Sequence, residues 1–140
     1  TALAAMRGQQ GAAQSAALVG QLQGLQLAPL LVIHGESDRV VAASNARTSA
    51  AVWALATGAA PGPERVLQRG KRYPARVTDY KHKGKVRVSL HQIEHLGHAW
   101  SGGPAKMAYS DANGPDATRL VWTFVARQFK AAQAAAPAPR

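Results

Sequence analysis

The sequence has no cysteine, which excludes disulfides and thiolate zinc sites and leaves the redox compartment undetermined. It has no uninterrupted apolar run of about 18 residues, so no segment reads as a membrane span. It lacks the basic, apolar and small-residue succession of a secretion signal. It begins on Thr1 rather than methionine, as a fragment or a processed product would. Acid is scarce: 7 Asp and Glu stand against 17 Lys and Arg, a net charge of +10. That imbalance invites an acidic surface or a nucleic acid as partner. The cationic residues are unevenly placed, however. Arg65, Arg69, Lys71, Arg72, Arg76, Lys81, Lys83, Lys85 and Arg87 share one segment and alternate with apolar residues, as on the wet side of a hairpin. Charge alone is a footprint and not a motif, so a solvated face is favoured over a nucleic-acid site.

What is present is enough for a core: 46% of the 140 residues are hydrophobic, suiting one domain or part of a larger one. PLLVIHG (Pro29–Gly35) is a continuous apolar run closed by glycine and reads as a strand buried on both faces of a parallel sheet. A loop, ESDRVVAAS, follows. Ala46, Ala50, Trp53, Ala54 and Thr57 then share one helical face, with Ser44 or Asn45 as N-cap and Gly58 as terminator. Period-two alternation in RYPARVTDY and KVRVSLHQI predicts two antiparallel strands around a turn at Gly84. A last helix is expected from Pro115, with Asp116 in its first turn and Ala117, Leu120, Val121, Phe124 and Val125 on its apolar face. TALAAM reads as the end of a helix stopped at Gly8, and the remainder of residues 1–27 as a loose connector. Residues 131–140 read as an Ala/Pro-rich tail without a core contribution. Strand, helix, strand, strand, loop, helix indicates an α/β sheet, and such sheets bind ligands at the carboxyl ends of their strands.

Three of the five histidines fall in HQIEHLGHAWSGG, residues 91–103. His91 to His95 spell H-x-x-E-H, a zinc-peptidase pattern that requires a helix to turn both imidazoles the same way. Here it ends a period-two strand, Gly97 follows closely, and no Glu occurs after Glu94 to complete a ligand set. His91 then reads as a solvent-facing strand residue and His95 as a surface loop residue. His98 admits another chemistry. A serine hydrolase needs an imidazole to take the serine proton and an acid to orient that imidazole. Asp38 precedes His98 in the order acid then base, and both sit on loops that follow strands. Glu36 and Asp79 are competing acids, His34 reads as a packed imidazole near the site, and Trp53 and Trp122 as helix packing.

PLLVIHGESDRVVAASNA, GHAWSGG and SDANGPDATRLVWTF together resemble the carboxyl-terminal half of the esterase family named for polyhydroxybutyrate depolymerase, and ALAAMRG is similar to a connector of that family. The resemblance spans about residues 2–130. H-G-x-x-D-x-x-V is common among α/β-hydrolases; G-H-A-W-S-G-G combined with D-x-x-G-P-D-A-T is more specific. The resemblance implies that residues 1–130 are the carboxyl-terminal part of an α/β-hydrolase catalytic domain, from an extracellular enzyme of carboxylic-ester hydrolysis. It implies no metal or other cofactor. It implies Asp38 as the triad acid, His98 as the base and Trp100 as a substrate contact. The substrate it implies is a polyhydroxyalkanoate or short-chain oligoester, with feruloyl or acetyl esters as the alternative. The departure is the nucleophile. No G-x-S-x-G occurs in the 140 residues: Gly35-Glu36-Ser37-Asp38-Arg39 ends on the wrong residue and Ser101 lacks the leading glycine. The chain alone is therefore expected to be inactive, and its partners are the ester and a missing amino-terminal half or another copy. A strand edge left open by that half would favour association. The rival from another class is a basic, non-enzymatic interaction domain.

Overall fold

The structure is a computed structural model and describes residues 1–9 and 11–135. Two helices lead in. The first, α1 (Ala2–Met6), is capped by the Thr1 hydroxyl, which accepts from the Ala4 N–H. The second, α2 (Ala12–Leu22), lies where the sequence suggested only a connector. It buries none of its residues and packs along a later helix, so tertiary contact rather than an apolar stripe supports it.

Strand β1 (Leu30–Gly35) follows, then helix α3 (Ser44–Ala56), the two-residue β2 (Ala60–Pro61) and the short β3 (Arg65–Leu67). The hairpin comes next, β4 (Ala75–His82) and β5 (Lys85–Ile93), turning at Lys83 and Gly84, both with positive φ. A small parallel pair, β6 (Trp100–Ser101) and β7 (Ser110–Asp111), pins the loop after β5, and α4 (Ala117–Ala135) completes the described chain. Residues 131–135 of the expected tail thus continue α4, and residues 136–140 lie outside the described residues. No helix among the described residues is long and apolar enough to cross a membrane.

The fold is α/β. The main sheet runs β1-β5-β4-β2 with β3 also on β4; β1 and β5 are parallel, and β4 is antiparallel to β5. β1 is an edge strand and mostly half-buried, not buried on both faces as expected of an interior parallel strand. Its register sets the two faces. Leu30 and Val32 lie beside Val88 and Leu90, and this row packs on Ala46, Ala50 and Ala54 of α3. Alanine at these helix positions lets α3 approach the sheet closely. Leu31 and Ile33 lie beside Ser89 and His91 on the opposite face, where Ala75, Val77, Ile93 and Leu96 form a second cluster. Val77, Val88, Ile93 and Leu96 are the largest fully buried side chains. Each contributes on the order of 1.5–3 kcal/mol by leaving water.

Three expectations for single residues are corrected. The N-cap of α3 is Ala43, without a side-chain bond; Asn45 instead donates its amide to the carbonyls of Ala5 and Met6, tying α1 to α3. His91 does not face solvent: it is 7% exposed, because the sheet face it shares with Val77 and Ile93 is also covered. Helix α4 starts at Ala117, so Asp116 stands just before the first turn rather than within it, its carboxylate accepting from the Arg119 N–H.

Candidate active site

The loops after β1 and β5 are bound together by backbone before any side chain is considered. The Glu36 N–H donates to Ile93 O, and the Ser37 N–H donates to Leu96 O at 3.0 Å. Gly35 makes this approach possible: a Cβ there would run into the carbonyl oxygens of Leu96 and Gly97. The sharp bend in the second loop is at His95, with φ 62°, and not at Gly97, which takes no positive φ. His95 is exposed and meets Tyr73 edge to face at 5.7 Å.

This scaffold brings Asp38 and His98 together across sixty residues of sequence, Nδ1 to Oδ2 at 2.9 Å. Asp38 Oδ1 accepts from the N–H groups of Val40 at 2.8 Å and Val41 at 2.9 Å, an Asx turn that holds the carboxylate still. Burial by itself would raise the Asp38 carboxyl. The Val41 N–H, the His98 imidazole and the Val40 N–H, with the charge of His98, outweigh burial and hold the carboxyl below its ordinary value. An ionised Asp38 can only accept, so His98 Nδ1 is the donor of this bond, and in the neutral imidazole the lone pair is on Nε2. The Asp38 side chain is 6% exposed and that of His98 46%, so the acid is sheltered and the base reachable. His34 lies alongside: its Nε2 donates to Val41 O at 3.1 Å and is 3.8 Å from Asp38 Oδ2.

The pair borders a cavity of about 620 Å³ whose wall includes Leu31, Ile33, Val41, Ala99, Trp100 and Val121. Trp100 is half exposed and its indole N–H donates to the Thr118 hydroxyl at 3.3 Å. Tyr109, which no motif singles out, stands edge-on to His98 at 6.2 Å and is 78% exposed.

No protein-family model and no curated protein matches this chain.

The competing residues have other partners. Glu36 binds Arg76 and accepts from the Gln92 amide at 3.1 Å; Asp79 pairs with Arg65 at 2.9 Å and accepts from the Ser89 hydroxyl. Ser101 is 2% exposed, and its hydroxyl donates to Pro115 O at 2.6 Å, which removes it as a reachable nucleophile. Trp53 donates its indole N–H to Ala28 O while packing on the α3 face cluster, whereas Trp122 is 72% exposed and does not pack as expected. His91, His95 and His98 point to different neighbours, and among the described residues no group of three or more acids and imidazoles gathers as a metal site would.

Proposed function

We propose that this chain supplies the acid and the base of a serine carboxylic-ester hydrolase of the α/β-hydrolase type. The observation that carries this reading is the Asp38–His98 bond at the carboxyl ends of two parallel strands, with the imidazole beside an open, largely apolar cavity. His98 Nε2 takes the proton of a serine hydroxyl as that oxygen attacks the ester carbonyl, and returns it to the leaving alcohol. Asp38 holds the tautomer and stabilises the imidazolium formed between those steps. The serine and the oxyanion donors come from polypeptide other than these 140 residues, either an amino-terminal segment or a second chain. The ester is a polyhydroxyalkanoate or a short-chain oligoester, with the acyl group against Trp100. Two exposed aromatic rings, Trp100 and Tyr109, flank the base and support the alternative of an aromatic acyl group such as feruloyl.

The test is hydrolysis of p-nitrophenyl butyrate. The chain alone is expected to be inactive; joined to the segment encoded upstream of Thr1, it is expected to turn over substrate and to lose that turnover in His98→Ala. An upstream segment without G-x-S-x-G, or joined activity indifferent to His98, overturns the reading. Hydroxybutyrate oligomers compared with methyl ferulate then separate the two substrate classes.

A further inference from the structure

A second cleft, of about 450 Å³, opens between the sheet and α4; it shares one lining residue, Leu31, with the cavity at His98. The register of the sheet builds its floor. Ser89 stands between Leu31 and Asp79, and His91 stands between Ile33 and Val77, which in turn faces Arg65. Asp79 is ion-paired to Arg65, so it accepts the single proton of the Ser89 hydroxyl, at 2.7 Å. His91 Nε2, 3.1 Å from the same hydroxyl oxygen, must then be the donor of that bond. Ser89 and His91 are 5% and 7% exposed, so this is an ordered, buried polar floor and not a solvated hairpin face. Burial holds the His91 imidazole below its ordinary value, Asp79 opposes this and Arg65 adds to it, so His91 contributes no positive charge.

The walls are cationic and apolar together. Arg65, Arg69 and Arg72 enter from the β3 side and Arg119 and Arg127 from α4, against the two carboxylates of Asp79 and Asp116. Arg65 is paired. Arg72 donates to the carbonyls of Gly114, at 2.6 Å, and Ala112, which leaves its charge in place. Among the described residues no acid pairs with Arg69, Arg119 or Arg127. Leu31, Leu67, Val86, Leu120 and Phe124 supply the apolar surface. Like charges around one concave space repel each other and focus a positive field into it. Guanidinium groups are suited to planar oxyanions. The volume falls in the range of small-molecule sites, about 300–1,000 Å³, and an apolar lining with a few convergent polar groups is their usual composition.

We propose that the cleft between the sheet and α4 binds an anionic amphiphile, an aliphatic carboxylate whose head meets Arg119, Arg127 and Arg69 and whose chain lies on Leu31, Leu120 and Phe124. The proposal does not depend on the Asp38–His98 reading. It assigns part of the charge clustered in the sequence to a small-molecule site.

Calorimetric titration of the full chain with sodium octanoate tests it, with 1-octanol and inorganic phosphate as single-feature controls. Octanoate is expected to bind at least about tenfold more tightly than either control. Arg119→Gln with Arg127→Gln, both solvent-exposed residues at the cleft wall, is expected to weaken octanoate about tenfold or more at unchanged helicity and Tm. Arg69→Gln, on the loop, should weaken it in the same direction, which keeps the test decisive if the helix variant misfolds. Octanol binding as tightly as octanoate would reduce the cleft to an apolar hole, and phosphate doing so would reduce it to a bare anion cluster. Octanoate affinity indifferent to these arginines, or salt-dependent binding of duplex DNA through them in its place, overturns the proposal.

Discussion

The fold shifts the protonation of Asp38 and of His91, and the two should be visible in different pH windows. The folded state holds the Asp38 carboxyl below its ordinary 3.8. Such a group stabilises the fold above its unfolded value, and that contribution is lost as pH falls through the folded value. Between about pH 5 and about pH 2 the natural chain should lose stability more steeply than Asp38→Asn. Urea unfolding at stepped pH measures this; parallel curves would mean that the bonds from Val40, Val41 and His98 do not favour the carboxylate. His91 is held below its ordinary 6.5 by burial. The unfolded chain takes up a proton below that value while the folded chain does not, so stability falls as pH drops from about 7 to about 5. His91→Gln should flatten that stretch and leave the acid limb alone. In an assembled hydrolase Asp38→Asn is expected to lower kcat on the order of 10⁴-fold with KM little changed, because the wrong tautomer removes the base without touching substrate.

The elements matter through the two loops they end in. Gly35 closes β1 against the backbone of Leu96 and Gly97, so the distance from Asp38 to His98 depends on a residue with no side chain. Gly35→Ala is expected to destabilise the fold by about 1–3 kcal/mol, as overpacking does, and to weaken the Asp38–His98 bond. Denaturant unfolding reads the first effect. The loss of a low-field His98 Nδ1 proton in NMR spectra reads the second; retention of that proton at native sharpness would mean that the loops are held apart from Gly35. The same elements show what a sequence can and cannot disclose. β4, β5 and the inward stripe of α3 were legible because each has enough residues for a period to emerge, and β1 because its apolar run is unbroken and closed by glycine. β2, β3, β6 and β7 are two or three residues long and have none. The helix α2 was hidden by glycine and glutamine, since its support comes from packing along α3. Period two told that Ser89 and His91 share a face but not that the face is covered, which depends on where α4 returns. That Asp38 and His98 meet was legible through order and motif. That Glu36 and Asp79 are engaged by Arg76 and Arg65 was not, because those pairings follow from strand register.

At the scale of the whole molecule, a long-range repulsion opposes short-range attractions. The net charge of +10 keeps copies apart at a distance. Close up, the outer edge of β1 has no strand beside it among the described residues, and Tyr109, Trp122 and Phe129 are each more than 60% exposed. Unpaired strand edges and apolar rings attract only at contact and are little affected by salt, whereas the repulsion extends about 30 Å at 0.01 M salt and about 3 Å at 1 M. Association should therefore rise with ionic strength. Sedimentation velocity at about 0.01 M and about 1 M sodium chloride is expected to show a single slow species in the first and a concentration-dependent faster species in the second. Dispersal by salt would instead mean that copies are held by charge, and the strand edge would have no part in it. Trp122→Lys divides the remaining possibilities, because Trp122 is an exposed ring on α4 and forms no part of the β1 strand edge. If the edge carries the association, this substitution leaves the faster species in place apart from the added repulsion of one charge; if the α4 face carries it, the faster species disappears.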